Sequence, residues 1–159
     1  MDRSKYNSIS KEDFKKLNEQ DVLFITNPGR MGDEDGSTFV IKNGNELTIY
    51  RVDGWMYPKR GIDPKEQITL SDAKNQFPKW NDAWKNGDND KYKYLHLGFG
   101  NGLSIDKEIY TEYEPYLNSE VEKHLEGKDN GEDIRNATIY AVWKNALEEM
   151  AKDKQLILK

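Results

Sequence analysis

The stretch Val22–Tyr57, VLFITNPGRMGDEDGSTFVIKNGNELTIYRVDGWMY, decides the fold. Val22, Leu23, Phe24 and Ile25 form an apolar run rich in strand formers. So short a run is ambiguous between strand and helix on periodicity alone. Asn27-Pro28-Gly29 resolves it, because that cluster ends regular structure and leaves a strand over Val22–Thr26. Two further strands follow, Thr38–Lys42 and Glu46–Val52, joined through Asn43-Gly44. That dipeptide predicts a tight hairpin with a type I′ turn, both of its residues taking positive φ. Leu47 and Ile49 share one face of the second strand, while Thr48, Tyr50 and Val52 share the other. A strand apolar on both faces is expected to be central and covered on each side, at least in part.

Between the first two strands lies Gly29-Arg30-Met31-Gly32-Asp33-Glu34-Asp35-Gly36. Asp33 and Asp35 alternate as calcium ligands do, but Gly36 comes too early for a calcium loop and no glutamate closes it. An acidic, solvated loop with glycines for tight turns is the better reading.

Outward from this stretch, Ser10 is placed to cap a short helix with Asp13 in the capping-box position, ending near Gln20. Phe14 and Leu17 share its apolar face. On the other side, Ala73, Phe77, Trp80 and Trp84 recur at helical spacing, with Ser71 as N-cap. Pro78 divides that stripe and suits the first turn of a second helix ending near Asn86. Trp80 and Trp84 read as core, since their spacing matches packing. Lys91–Leu97 alternates, with Tyr92, Tyr94 and His96 on one side and Leu95 and Leu97 on the other, and predicts a strand. A second short strand, Leu103–Ile105, follows the glycines 98, 100 and 102. A dinucleotide site needs G-x-G-x-x-G opening directly into a helix. This G-x-G-x-G run leads into a strand and reads as a hairpin or bulge.

Asp106 caps the next helix, which carries Tyr110 and Tyr113 and which Pro115 is expected to break and restart before Leu117, Val121 and Leu125. The last helix, from about Glu132 to Lys152, has the longest apolar stripe, through Tyr140, Trp143, Leu147 and Met150. The expected fold is α+β: a mainly antiparallel sheet packed against helices, with a long C-terminal helix. Residues 1–159 form a single domain, with no internal repeat or linker.

Composition limits the function. The chain is 33% charged and 35% hydrophobic, with a net charge of −5. Its 11% aromatic content, including nine Tyr and four Trp, still supplies a core. Acidic charge opposes direct nucleic-acid binding and favours a basic protein partner. There is no cysteine, hence no disulfide and no thiolate chemistry, as suits a reducing compartment. With no apolar leader region near Met1 and no run of about eighteen apolar residues, no membrane association is expected and the protein is read as cytoplasmic.

Chemistry-bearing motifs are scarce. His96 stands near the glycine turn, and Ser104 follows without a nucleophile-elbow sequence. His124 lies between Glu122 and Glu126 on a helix and reads as a surface residue. Two histidines and no cysteine leave no zinc motif. The chain is therefore expected to be no enzyme and to carry no cofactor. The runner-up readings are a small-molecule regulatory module with a pocket lined by Trp80, Trp84 or Trp143, and a hydrolase using His96.

The order of elements resembles the SUKH superfamily, the group named for yeast cell-wall-synthesis regulators with many small bacterial members. The resemblance lies in the short N-terminal helix, the loop Gly32-Asp33-Glu34-Asp35-Gly36 before a hairpin, and the strand end Leu95-His96-Leu97-Gly98-Phe99-Gly100-Asn101-Gly102. It implies an α+β fold with an antiparallel sheet. It also implies a non-catalytic role, commonly that of an immunity protein neutralising a bacterial toxin, often a nuclease. Asp33, Glu34 and Asp35, with Trp55 and Tyr57 beyond the hairpin, are the expected partner-binding residues: charge to steer a basic partner, aromatic rings to anchor it.

Overall fold

The computed structural model describes residues 7–27, 37–52, 63, 65–66, 68–98, 102–128 and 131–159. The elements are α1 (Lys11–Lys15), β1 (Val22–Asn27), β2 (Ser37–Asn43), β3 (Glu46–Val52), α2 (Leu70–Gln76), α3 (Pro78–Asn86), β4 (Tyr92–His96), β5 (Gly102–Asp106), α4 (Lys107–Leu125), α5 (Glu132–Asp153) and β6 (Ile157–Leu158). The strands form one six-stranded sheet in the order β4-β5-β1-β2-β3-β6. Among these described strands the pairings are antiparallel except that of β3 with β6, and Asn7 adds a lone parallel bridge to Tyr50. The fold is thus α+β, with a mainly antiparallel sheet and a long C-terminal helix.

Helices cover both faces. On one, Phe24, Val40, Leu47, Ile49, Leu103 and Ile105 pack with the stripes of α4 and α5. On the other, Val22, Ile25, Phe39, Ile41, Tyr92 and Tyr94 pack with Phe14 of α1, Ala73 of α2, and Trp80 and Ala83 of α3. Phe14, Phe39 and Phe77 meet edge to face, with centroids 5.3–6.1 Å apart. Such pairs add about 0.5–1.5 kcal/mol each beyond the area they bury. The register of β1 against β2 shifts between Val22 and Phe24, and this bulge turns both Leu23 and Phe24 toward α4 and α5. An unbroken apolar run thereby serves both layers.

Several local expectations need correction. The hairpin closes at the pair Asn43↔Glu46, so Gly44 and Asn45 are its central residues. Only Gly44 has positive φ, +60°, as in a type II′ turn. A turn on Asn43-Gly44 would set Glu46 opposite Ile41, on the face covered by α1–α3. The observed register sets Thr48 there and brings Tyr50 against Phe39, at 5.4 Å. The cap of α2 is Thr69, not Ser71: its hydroxyl accepts from Asp72 N at 3.1 Å while the Asp72 carboxylate accepts from Thr69 N at 2.8 Å, a complete capping box. Pro115 does not interrupt α4. It lies on the exposed face, where water can reach the carbonyl it leaves unpaired, while Tyr113, Leu117, Val121 and Leu125 stay buried in one continuous stripe.

Other features match the expected pattern. Ser10 Oγ accepts from Asp13 N, although α1 ends at Lys15 and a 3₁₀ turn, Glu19–Asp21, precedes β1. Pro78 opens α3, and Asp106 Oδ1 accepts the Glu108 and Ile109 amides of α4. No signal announced β6, which pairs in parallel with Glu46 and Leu47. Among the described residues no helix is long and apolar enough to cross a membrane.

Candidate functional site

Strand register places the strand ends that flank the expected site residues in one row at one end of the sheet. His96 of β4 pairs with Gly102 of β5, Gly102 with Asn27 of β1, and Ser37 of β2 with Val52 of β3. Neighbouring strands lie about 4.8 Å apart, so this row runs roughly 19 Å from His96 to Val52. From it the chain leaves at Asn27 and returns at Ser37, and it leaves again at Val52. Asp33, Glu34, Asp35, Trp55 and Tyr57 lie outside the described residues. Chain connectivity nevertheless tethers Asp35 two residues before Ser37 and Trp55 three residues after Val52, on two directly paired strands.

The first turns of α5 lie over the same end. Asn136 Nδ2 would be 3.7 Å from a Cβ at Gly98, and Tyr140 reaches Thr26 near the end of β1, with burial pushing its phenol above the usual value. Glu122 and Glu126 at the end of α4, and Glu132 and Asp133 at the start of α5, add acids that sequence reasoning did not single out. Lys123, Lys128 and Arg135 stand among them, and Arg135 Nη2 pairs with Glu122 at 2.6 Å. The helices therefore leave this end close to neutral.

His96 closes β4. It is exposed, meets the Tyr94 ring edge-on at 4.9 Å, and has no carboxylate within hydrogen-bond reach among the described residues. Tyr94 lies across Gly102, where a Cβ would collide with its ring and hydroxyl. That close approach explains the glycine, as an aromatic residue covering a glycine on the neighbouring strand. Ser104, on the same face, is fully buried and so shielded from any substrate at His96. Helix α4 begins only after β5 has crossed the sheet, and Asp106 occupies its first amides, so the glycine turn presents no helix N-terminus to a phosphate. His124 is exposed on α4, its Nδ1 2.7 Å from the Glu120 carbonyl.

Trp80, Trp84 and Trp143 are packing residues. Trp80 is buried and stacks on Trp84 at 5.3 Å, and Trp143 is buried and stacks on Tyr110 at 5.4 Å. The void beside Trp143, walled by Leu23, Phe24, Tyr113 and Met150, holds about 10 Å³, at the lower limit for one water. A cleft between α4, α5 and β4, lined by Leu95, Tyr110, Leu117, Val121, Ile139 and Trp143, holds about 90 Å³. Sites for drug-sized molecules run to about 300–1,000 Å³. Among the described residues no group of three or more metal-ligating side chains converges.

No protein-family model, curated protein or solved structure matches the chain.

Proposed function

We propose that the chain is a non-catalytic protein-binding module that seizes and blocks a basic protein, as an immunity protein neutralises a toxin. The observation that supports this best is the pairing of Ser37 with Val52, which hangs the acidic 33–35 segment and the Trp55–Tyr57 segment from adjacent strand ends. Charge there raises the encounter rate with a basic partner, and aromatic anchors supply affinity once water is expelled. The resemblance to the SUKH superfamily points the same way, toward a nuclease toxin as partner. Among the described residues His96 is exposed beside the Tyr94 ring, which gives a hydrolase no specific support, and the voids around Trp143 are small for a small-molecule module.

The test is affinity capture of a basic partner from the native cytoplasm, followed by binding measurements at low and high ionic strength. Reversing Asp33, Glu34 and Asp35 to Lys should abolish binding at low salt, and Trp55→Ala should weaken it at any salt. A partner that binds the reversed variant as well as the parent at low salt would rule the acidic loop out of the interface.

A further inference from the structure

Strand β4 is an edge of the sheet, and a sheet edge exposes a row of N–H and C=O groups that template pairing with another strand. In β4 the inward groups bond to β5, so Tyr92, Tyr94 and His96 direct their backbone groups outward. The lower part of this edge is not open. After α3 the chain reverses at Gly87, whose φ of +90° and ψ of −155° fall in a region essentially restricted to glycine, and lays residues 88–90 back along β4.

Asn89 then behaves like a neighbouring strand. Its backbone N donates to Tyr92 O at 3.1 Å, and its side-chain Oδ1 accepts from Tyr92 N at 2.8 Å and Lys91 N at 2.9 Å. Its Nδ2 donates to Lys79 O and to Asp82, and its own carbonyl accepts from Lys107 Nζ, so the residue is fastened to α3 and α4. One step further along, Asp88 Oδ1 accepts from Tyr94 N at 3.0 Å while Oδ2 holds Lys93 Nζ at 2.8 Å. The outward amides of Tyr92 and Tyr94 are both taken, by side chains that end there and extend no sheet. The His96 amide has no backbone partner among the described residues.

We propose that Asp88 and Asn89 are edge guards: they hold shut a strand-addition surface on β4 that, once uncovered, takes the β4 strand of a second copy of this chain. An antiparallel β4–β4 contact is self-complementary, because the same alternation of N–H and C=O serves both copies of a two-fold pair. Leu95, half-buried beside the α4–α5 cleft, adds apolar surface to the same edge. The far edge is managed differently: Ile157 N and Lys159 N donate to Asn45 O and Leu47 O, and Ile49 N donates to Lys159 O, so chain segments themselves cover β3.

Amide hydrogen exchange in the unaltered protein reads the guard directly. Tyr92 and Tyr94 amides should exchange more slowly than the His96 amide, by on the order of tenfold or more, the protection of one well-made hydrogen bond. Asp88→Ala/Asn89→Ala should lose that protection and sediment as a concentration-dependent dimer. Asp88→Asn, which keeps the accepting Oδ1, should remain monomeric. Adding His96→Pro to the double variant removes an outward N–H without touching the β5 ladder and should restore the monomer. A folded double variant that stays monomeric at every concentration overturns the proposal, and so does a dimer indifferent to His96→Pro. If the double variant does not fold, equal exchange at Tyr92, Tyr94 and His96 in the parent overturns it as surely, and unequal exchange with dimerisation of Asp88→Ala alone upholds it.

Discussion

Among the described residues, the two ends of the sheet hold their polar groups differently. At the end where β4 begins and β5 finishes, polar groups are consumed internally. Lys91 Nζ lies 2.7 Å from Asp106 and also donates to Gln20 O. Asp106 caps α4, and the Glu19 carboxylate accepts the Lys79 and Trp80 amides, supplying the side-chain cap that Phe77 cannot give α3. The Tyr92 hydroxyl sits beside Glu19 without closing a well-formed hydrogen bond. Burial first, and then the Glu19 and Asp106 charges, push its phenol well above the usual value. At the opposite end the described residues offer the buried Thr26 hydroxyl, which accepts from Thr38 N at 2.8 Å, Tyr140 beside it, Arg135 with Glu122, and the exposed His96.

That contrast is easiest to break where the stitching is densest. Asp106→Ala removes both a cap and one half of an ion pair whose side chains are only 12% and 14% exposed. It should destabilise the protein by about 3 kcal/mol, read from urea denaturation. Gly87→Ala comes next: a Cβ there would meet nothing within 4 Å, so the whole cost is backbone, about 1–3 kcal/mol. A loss near zero would mean that the chain reversal onto β4 is not held in that conformation.

Acid should loosen the fold as well. Burial works to raise the Asp88 carboxyl, but Lys93 and the Tyr94 amide outweigh it and hold the group below its usual 3.8. Asp72 behaves alike, burial being outweighed by its bonds with Thr69 and by Lys11. A carboxylate depressed in the folded state contributes stability in full above 3.8, and that contribution drains away as pH falls through the lower folded value. Stability should therefore begin to drop below about pH 4. The Tyr94 amide resonance should move with Asp88 protonation. The smallest effects belong to the other end. His96→Ala and the Lys reversal of Asp33, Glu34 and Asp35 should each change stability by no more than about 0.5 kcal/mol. A larger loss would show that this end also supports the fold.

Much of this architecture was legible in local pattern. The alternation of Lys91–Leu97, the Asn43-Gly44 signal and the stripe through Trp143 and Met150 each placed an element correctly, because burial on one face imposes a period on the residues. What escaped was set by distant partners. The hairpin turns one residue later than its dipeptide suggests because Phe39 needs Tyr50 and Ile41 must avoid Glu46. The Thr69-x-x-Asp72 box is visible in the letters, but Ser71 lies nearer the apolar stripe and competes for the same role. Glu19 as a cap for α3, and β6, depend on residues brought from elsewhere in the chain, and no local window contains them. The guard residues Asp88 and Asn89 and the Tyr94–Gly102 contact lie close in sequence to their partners, but side chains that bond an edge or cover a glycine impose no period on the letters. The candidate site was legible only as composition: acids and aromatics flanking a hairpin. Register added that their strand ends are neighbours.

One paired measurement tests the central claim, that a basic partner is bound at the end opposite the stitching. A captured partner is titrated at low ionic strength against two reversed variants, Asp33→Lys/Glu34→Lys/Asp35→Lys and Asp90→Lys. Asp90 lies at the stitched end in an exposed pair with Lys79, at 3.0 Å. The partner should be lost by the first variant and retained by the second. Retention by the first, or equal loss by both, would contradict the account.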